Sequence, residues 1–280
     1  MKIVIHGGFF SESSQSDETK LKKQTALKTI IGKGFEFLKT HTSLETVVYT
    51  TTLLEDCSLF NAGIGSQIQR DGKIRMSASI MDGKCSKFSG VINIENVRNP
   101  VLIAEKLLKE EDRVLSGQEA GNYAVSKGFE SFSTETPERK NEFNLKLNNS
   151  KTGTVGCVAL DNKGHLAVAT STGGKGFEIP GRVSDSATVA GNYANLNCAI
   201  SCTGIGEDIV NGAIASKIVT RVTDGQNIQS AFSKTFHELN EINGFAGAIG
   251  IDSKGNIYWE ESHPKIVFAA YDGTDLTLFE

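Results

Sequence analysis

The 280 residues predict an α+β fold in which antiparallel sheets are covered by helices. Three observations lead there. Strand-like runs are joined by short hairpin signals, the helical stretches come in pairs, and the strand pattern restarts after one long polar stretch in mid-chain. With 39% apolar and 22% charged residues the chain has enough core-forming material for a globular protein. We read one domain over 1–280.

Met1 to His6 alternates as a first strand. Lys20 to His41 carries Leu21, Ala26, Leu27, Ile30, Ile31, Phe35 and Leu38 at helical spacing. Thr46 to Leu54 is rich in β-branched residues and is expected as a strand. Arg70-Asp71-Gly72-Lys73 is a hairpin signal between two strand candidates, and Arg75 to Met81 and Phe88 to Ile94 continue the sheet. Asn99-Pro100 opens a helix to about Lys109, with proline in the first turn, and Gly117 to Lys127 makes a second. From Thr134 to Thr152 the chain is polar and is expected to be a structureless connection. Strands resume at Gly156 to Leu160 and His165 to Thr170, around the turn Asp161-Asn162-Lys163-Gly164. Asn197 to Thr203 is a further strand, Glu207 to Thr223 and Asn227 to Asn240 are helices, and Gly247 to Asp252 pairs with Asn256 to Glu260 across Ser253-Lys254-Gly255.

The net charge of −4 gives no basic patch for nucleic acid. There is no apolar run near the length of a membrane span, and MKIVIHGG is too short and too soon glycine-rich for a signal peptide. Cys57, Cys85, Cys157, Cys198 and Cys202 are odd in number and form no Cys-x-x-Cys pair. Three of them lie in apolar runs, which suits reduced thiols and a cytoplasmic location. His6, His41, His165, His237 and His263 lack zinc-ligand spacing.

Gly153-Thr154-Val155-Gly156 stands where the polar stretch meets the apolar run Cys157-Val158-Ala159-Leu160. Such a junction suits cleavage between Gly153 and Thr154. A threonine hydroxyl needs a base, and a freed α-amine on the same residue supplies one, since its pKa of roughly 8 leaves part of it neutral near pH 7. Four clusters accompany it. Thr170-Ser171-Thr172-Gly173-Gly174 ends the partner strand and offers hydroxyls to orient the nucleophile, or is a plain strand end. Gly181-Arg182-Val183-Ser184-Asp185-Ser186 sets a carboxylate-binding fork three residues from a carboxylate, fitting the two ends of a free amino acid or an ordinary surface pair. Ser201-Cys202-Thr203-Gly204-Ile205-Gly206-Glu207 runs from strand to helix through Gly-x-Gly, whose N–H groups suit an anion or oxyanion, or merely make the turn. Leu54 to Gly65 mixes acids, Asn61 and glycines in a loop able to present carbonyls or aim an amide.

Taken in order, Ile5-His6-Gly7-Gly8, Phe60-Asn61-Ala62-Gly63-Ile64-Gly65, Met81-Asp82-Gly83, Arg98-Asn99-Pro100-Val101 and the clusters above resemble the plant-type L-asparaginase/isoaspartyl aminopeptidase family of N-terminal-nucleophile hydrolases. The resemblance implies a four-layer αββα sandwich and a precursor that cuts itself into an α subunit, 1–153 (134–153 a flexible linker), and a β subunit, 154–280. It implies Thr154 as nucleophile and base and Thr172 as its support. Thr203 and Gly204 would form the oxyanion hole, and Asn61 would help place Thr154. Arg182 would hold the substrate α-carboxylate and Asp185 its ammonium, assisted by Gly206. Carbonyls of Leu54, Glu55, Cys57, Phe60, Ala62 and Ile64 would bind a structural sodium ion, with no cofactor in catalysis. The implied activity is hydrolysis of the side-chain amide of L-asparagine and of β-aspartyl dipeptides by a dimer of αβ heterodimers, without nucleic acid or membrane. Phe9-Phe10 after Gly8, Ser184 in place of glycine, and Lys175 to Ile179 depart from the family pattern; Phe9 and Phe10 are expected in the core. The alternatives are a glycosylasparaginase-like hydrolase, a non-cleaved, non-catalytic relative, and a cysteine hydrolase built on Cys57 and His6.

Overall fold

Two sheets meet face to face in a computed structural model of the protein, which describes residues 1–9, 16–145, 153–263 and 265–280. The larger sheet has eight strands in the order β12-β11-β1-β5-β6-β2-β3-β4. Its members are β1 (Lys2–Phe9), β2 (Met76–Asp82), β3 (Lys87–Ile94), β4 (Val114–Ser116), β5 (Val155–Leu160), β6 (Leu166–Thr172), β11 (Ile266–Tyr271) and β12 (Leu276–Leu278). The smaller sheet runs β10-β9-β8-β7, from β7 (Asn192–Ala194), β8 (Cys198–Gly204), β9 (Ala246–Asp252) and β10 (Ile257–Glu261). All pairings are antiparallel except β3 with β4. Helices α1 (Asp17–Leu38), α2 (Ser43–Glu55) and α3 (Pro100–Leu107) cover the outer face of the larger sheet. α7 (Ile214–Thr223) and α8 (Ile228–Glu241) cover the smaller one. The result is the expected αββα layering. Among the described residues no helix is long and apolar enough to cross a membrane.

Most expected elements are present, but four differ. Thr46 to Leu54 is not a strand: it lies inside α2. Thr42 and Glu45 form a capping box, Glu45 N–H donating to Thr42 Oγ1 (3.3 Å) and Thr42 N–H to Glu45 Oε2 (2.9 Å). That start signal sets the helix, and burial of Val47, Val48, Thr50, Thr51 and Leu54 outweighs their β propensity. The polar connection is not wholly structureless. Proline at the first turn and an N-cap from Thr136 start α5 (Pro137–Asn144), which docks through Arg139 Nε on the Gly65 carbonyl (2.8 Å) and a stack of Phe143 on Phe177. Residues 146–152 lie outside the described residues. The expected helix from Glu207 to Thr223 is two, α6 (Gly206–Gly212) and α7, divided at Ala213 with φ 49°. The turn at Arg70-Asp71-Gly72-Lys73 forms, Gly72 N–H donating to Gln69 O (2.9 Å), but it leads from a loop into β2 rather than joining two strands. Strands β4, β7, β11 and β12 and helix α4 (Gly117–Ser126) complete the molecule. Phe9 packs in the core against Phe245, as expected; Phe10 lies outside the described residues.

The two kinds of interface differ in chemistry. Helix faces of both sheets are apolar: Ile3, Ile31, Val47 and Val101 on one side, Ile200, Ile218, Phe232 and Phe236 on the other. Between the sheets lie polar and small residues, among them His6, Ser79, Gly156, Thr170, Asn192 and Ser201, of which the five with side chains are fully buried. Strand alternation sorts β6: Thr170 and Thr172 face the smaller sheet and the cavity at its edge, whereas Ser171 faces α2 and Glu55. The polar layer is what carries the site.

Loss of the α2 cap gives a direct test. Thr42→Ala removes the side-chain half of the box, the Oγ1 acceptor for Glu45 N–H, at an exposed helix end and should cost about 1 kcal/mol. Chemical denaturation should show that loss without a change in fold.

Candidate active site

Thr154 is the residue just before β5, nearly buried, on the wall of a cavity of about 810 Å³. Thr172, Arg182, Asp185, Gly204 and Gly206 line the same cavity, whose size is typical for small-molecule sites. Five elements converge to build it: β5 and β6 supply Thr154 and Thr172, the loop after β6 supplies Arg182 and Asp185, and the turn from β8 into α6 supplies Gly204 and Gly206. Sequence positions separated by about fifty residues are thereby brought together on one cavity.

The hydroxyls around Thr154 form a directed set. Thr154 Oγ1 donates to Thr172 Oγ1 at 3.3 Å, and Thr172 Oγ1 donates to the Gly153 carbonyl at 3.2 Å. Asn61 Nδ2 donates to that same carbonyl at 2.8 Å and also to Gly174 O. Asn61 is itself fixed, because its Oδ1 accepts from Gln67 N–H at 3.1 Å. The Gly153 carbonyl, one bond from Thr154, is thus polarised by two donors at once, which is the geometry that stabilises negative charge on a carbonyl oxygen. Thr203 is not among the cavity's lining residues. It is fully buried on β8, and its hydroxyl has no hydrogen-bond partner among the described residues. Gly204 lies at the cavity with φ 143°.

Arg182 is not free. Its Nε and Nη2 each lie 2.9 Å from a Glu207 oxygen, a side-on bidentate pair. That pair holds the Glu207 carboxyl down at about 2, and it leaves the Nη1 edge of the guanidinium for another anion. Asp185 is fully enclosed, and burial pushes its carboxyl up to about 6; a bond from Ser184 and the nearby Arg182 charge oppose the rise. Ser184 Oγ donates to Asp185 Oδ1 at 3.0 Å, while Oδ2 has no partner among the described residues. Gly206 stands against both charges: a Cβ there would meet Arg182 Nη2 and Asp185 Oδ1. An anion fork, a carboxylate with an unmatched oxygen and a glycine between them suit the carboxylate and ammonium of one amino acid.

Several residues escaped the sequence reading. Glu207 holds Arg182, and only its place after Gly-x-Gly hinted at a role. Glu178, in the departing segment, is buried and accepts from Lys175 N–H (3.3 Å) and Gln69 Nε2 (3.4 Å), shaping the cavity wall. Ser184, a departure from the family pattern, is the residue that hydrogen-bonds Asp185. The alternative pairing of Cys57 with His6 does not occur. Burial raises the Cys57 thiol, and the His6 ring contacts Thr154 and Ser201 instead.

The loop assigned to sodium begins at the C-terminus of α2. Carbonyls of Glu55, Ser58 and Phe60 crowd onto Gly63 and Gly65, where no side chain intervenes. Cys57 and Ala62 carbonyls each accept one N–H of the loop and keep a second lone pair. The donors are neutral backbone oxygens, the ligand type that suits a monovalent cation. The Glu55 side chain turns to Val101 N–H at 3.1 Å, and burial pushes its carboxyl up to about 8.

A family model described as asparaginase matches residues 1–279. A Nostoc protein named isoaspartyl peptidase/L-asparaginase is 42% identical over 97% of this chain and 92% of its own length. An Escherichia coli protein named isoaspartyl peptidase is 36% identical over 91% of this chain and 88% of its own. A Pyrococcus abyssi protein named plant-type L-asparaginase is 31% identical over 95% of each chain.

The Asp185 geometry sets an expected pH response. An ammonium is held by the ionised carboxylate, so affinity for L-aspartate should rise as pH increases through about 6 and weaken below it. Ser184→Gly removes the bond that favours ionisation and should move this step to higher pH, measured by calorimetric titration of aspartate. A step that stays in place would show that Ser184 does not tune Asp185.

Proposed function

The chain belongs to the asparaginase family, and from that premise we propose that it is a self-processing threonine amidohydrolase. It hydrolyses the side-chain amide of L-asparagine and β-aspartyl (isoaspartyl) dipeptides, releasing L-aspartate. The observation that carries the reading is the Gly153 carbonyl, held by both Asn61 Nδ2 and Thr172 Oγ1 beside the Thr154 hydroxyl.

Self-cleavage comes first. Thr154 Oγ1 bonds to the Gly153 carbonyl carbon, the C–N bond between the two residues breaks, and the hydroxyl proton passes to the departing nitrogen. Asn61 and Thr172 stabilise the charge that gathers on the carbonyl oxygen. Water then hydrolyses the ester, leaving fragments 1–153 and 154–280. In turnover the new α-amine takes the proton from Oγ1 as it attacks the substrate amide, and returns it to the leaving amine. The resulting aspartyl ester on Thr154 is hydrolysed by water. Arg182 takes the substrate α-carboxylate through the guanidinium edge that Glu207 leaves open, and Asp185 takes the ammonium, with Gly206 keeping the space between them clear. Gly204, at the cavity wall, faces the tetrahedral oxygen in this scheme, and Thr203 joins it by turning its unpartnered hydroxyl toward the cavity.

Carbonyls of Leu54, Glu55, Cys57, Phe60, Ala62 and Ile64 would hold a sodium ion, which would brace the loop carrying Asn61. A cytoplasmic location fits five free cysteines. A dimer of αβ heterodimers completes the reading.

Purified protein should separate on a denaturing gel into two fragments, the smaller beginning at Thr154. Thr154→Ala should remain one chain and release no ammonia from asparagine. Asn61→Ala should slow self-cleavage by roughly 100-fold. Arg182→Ala should cleave normally yet lose asparagine turnover through a raised KM. An uncut chain with full turnover would sink the reading.

A further inference from the structure

Thr154 faces a mechanical problem that rests on the proposed function. Once the Gly153–Thr154 bond opens, residue 154 is tethered on one side only. Its amine and hydroxyl hang from Cα, and their direction is set by rotation about the Cα–C bond. The Thr154 carbonyl is the frame about which that rotation turns, so its orientation sets the axis from which the nucleophile points.

That carbonyl accepts from His6 Nδ1 at 2.9 Å. The other ring nitrogen, Nε2, lies 2.8 Å from Ser201 Oγ. Ser201 Oγ lies 2.7 Å from Thr170 Oγ1, which lies 2.8 Å from the Asn192 amide. All four side chains are fully buried. They come from four strands, β1, β8, β6 and β7, so the chain of contacts laces the two sheets together. Gly156 makes room for it: a Cβ there would collide with both Ser201 Oγ and His6 Nε2. The second glycine of Gly-Thr-Val-Gly thus has a physical reason.

Donor counting gives the chain a direction. A carbonyl only accepts, so His6 Nδ1 carries the hydrogen. Burial lowers the His6 pKa to about 3, so the ring is neutral and Nε2 is a bare acceptor. Ser201 must then donate to His6, and Thr170 to Ser201. With the Thr170 proton used, the Asn192 amide nitrogen has to face Thr170. That orientation exchanges the two ends of the amide: the nitrogen, otherwise buried without a partner, meets Thr170 in place of Oδ1, which takes the other position.

We propose that His6, oriented by Ser201, Thr170 and Asn192, is the positioning residue that holds the Thr154 carbonyl and so aims the N-terminal nucleophile after chain scission. His6 belongs to fragment 1–153 and its partners to 154–280, so the hold crosses the cut. The β1–β5 ladder, from Lys2↔Leu160 to Gly7↔Val155, keeps the two fragments in register. A small error in nucleophile placement is costly to rate and nearly neutral to substrate binding.

The test uses mature protein, with turnover of asparagine normalised to the amount of N-terminal threonine. His6→Phe keeps the ring's bulk and removes the donor, and should lower kcat roughly 10- to 100-fold while KM changes by less than about twofold. His6→Asn places an amide N–H near the Nδ1 position and should recover most of the loss. Unchanged kcat in folded His6→Phe, or equal losses in both variants, would overturn the proposal. If His6→Phe does not fold, NMR of the imidazole nitrogens decides. Wild type should show the Nδ1–H tautomer, the one form that donates to the Thr154 carbonyl. A wild-type ring protonated on Nε2 refutes the network. This readout needs no turnover, so an inactive wild type would count against the proposed function and leave the network to be judged by its tautomer.

Discussion

A polar layer buried between two sheets has to satisfy its own hydrogen bonds, because water cannot reach it. That constraint organises this molecule. His6, Thr170, Asn192 and Ser201 answer one another across the sheet interface, and at the edge of the layer Thr172 and Asn61 answer the Gly153 carbonyl. The apolar helix faces supply most of the driving force for folding, but they would tolerate many substitutions of similar volume. The middle layer would not, since each member's donor is another's acceptor. Thr154 sits where this layer opens into the cavity, and it inherits the layer's rigidity.

The charged end of the cavity follows a different rule. Here the groups are only partly matched, and the mismatch is what suits them to a charged ligand. Arg182 spends one edge on Glu207 and keeps another; Asp185 has one oxygen bonded to Ser184 and one unpartnered. A buried carboxylate without a full partner set resists ionisation, which raises Asp185, while Ser184 and Arg182 pull it back. An ammonium entering the site would complete the set. The departing residues Ser184 and Glu178 therefore act on the shape and charge of this pocket, not on the hydroxyl chemistry next to it.

Local signals and tertiary burial disagree at identifiable places. Thr46 to Leu54 reads as strand by composition, yet the Thr42–Glu45 box immediately upstream marks a helix start, and that signal prevailed. Pro137 and Thr136 were visible as a helix start within a stretch whose polarity suggested none. The break at Ala213 had no local marker: alanine in a left-handed conformation is disfavoured, and the chain adopts it so that α6 and α7 can pack separately. The C-terminal strands become recognisable only because β1 offers β11 an edge and β11 in turn offers one to β12.

Residue order alone established the hairpin-rich α+β class, the junction at Thr154, and the identities of the threonines, Arg182, Asp185 and Asn61 as a related set. Hydrogen-bonding type and sequence spacing are local properties, and they can be read from a string. Tertiary structure decided which hydroxyl meets which acceptor, that Arg182 leans on Glu207, and that His6 stands behind Thr154. Those facts depend on the register of β1 against β5 and on the stacking of one sheet over the other. They are set by burial and donor–acceptor matching among strands distant in sequence, which no short window of residues contains.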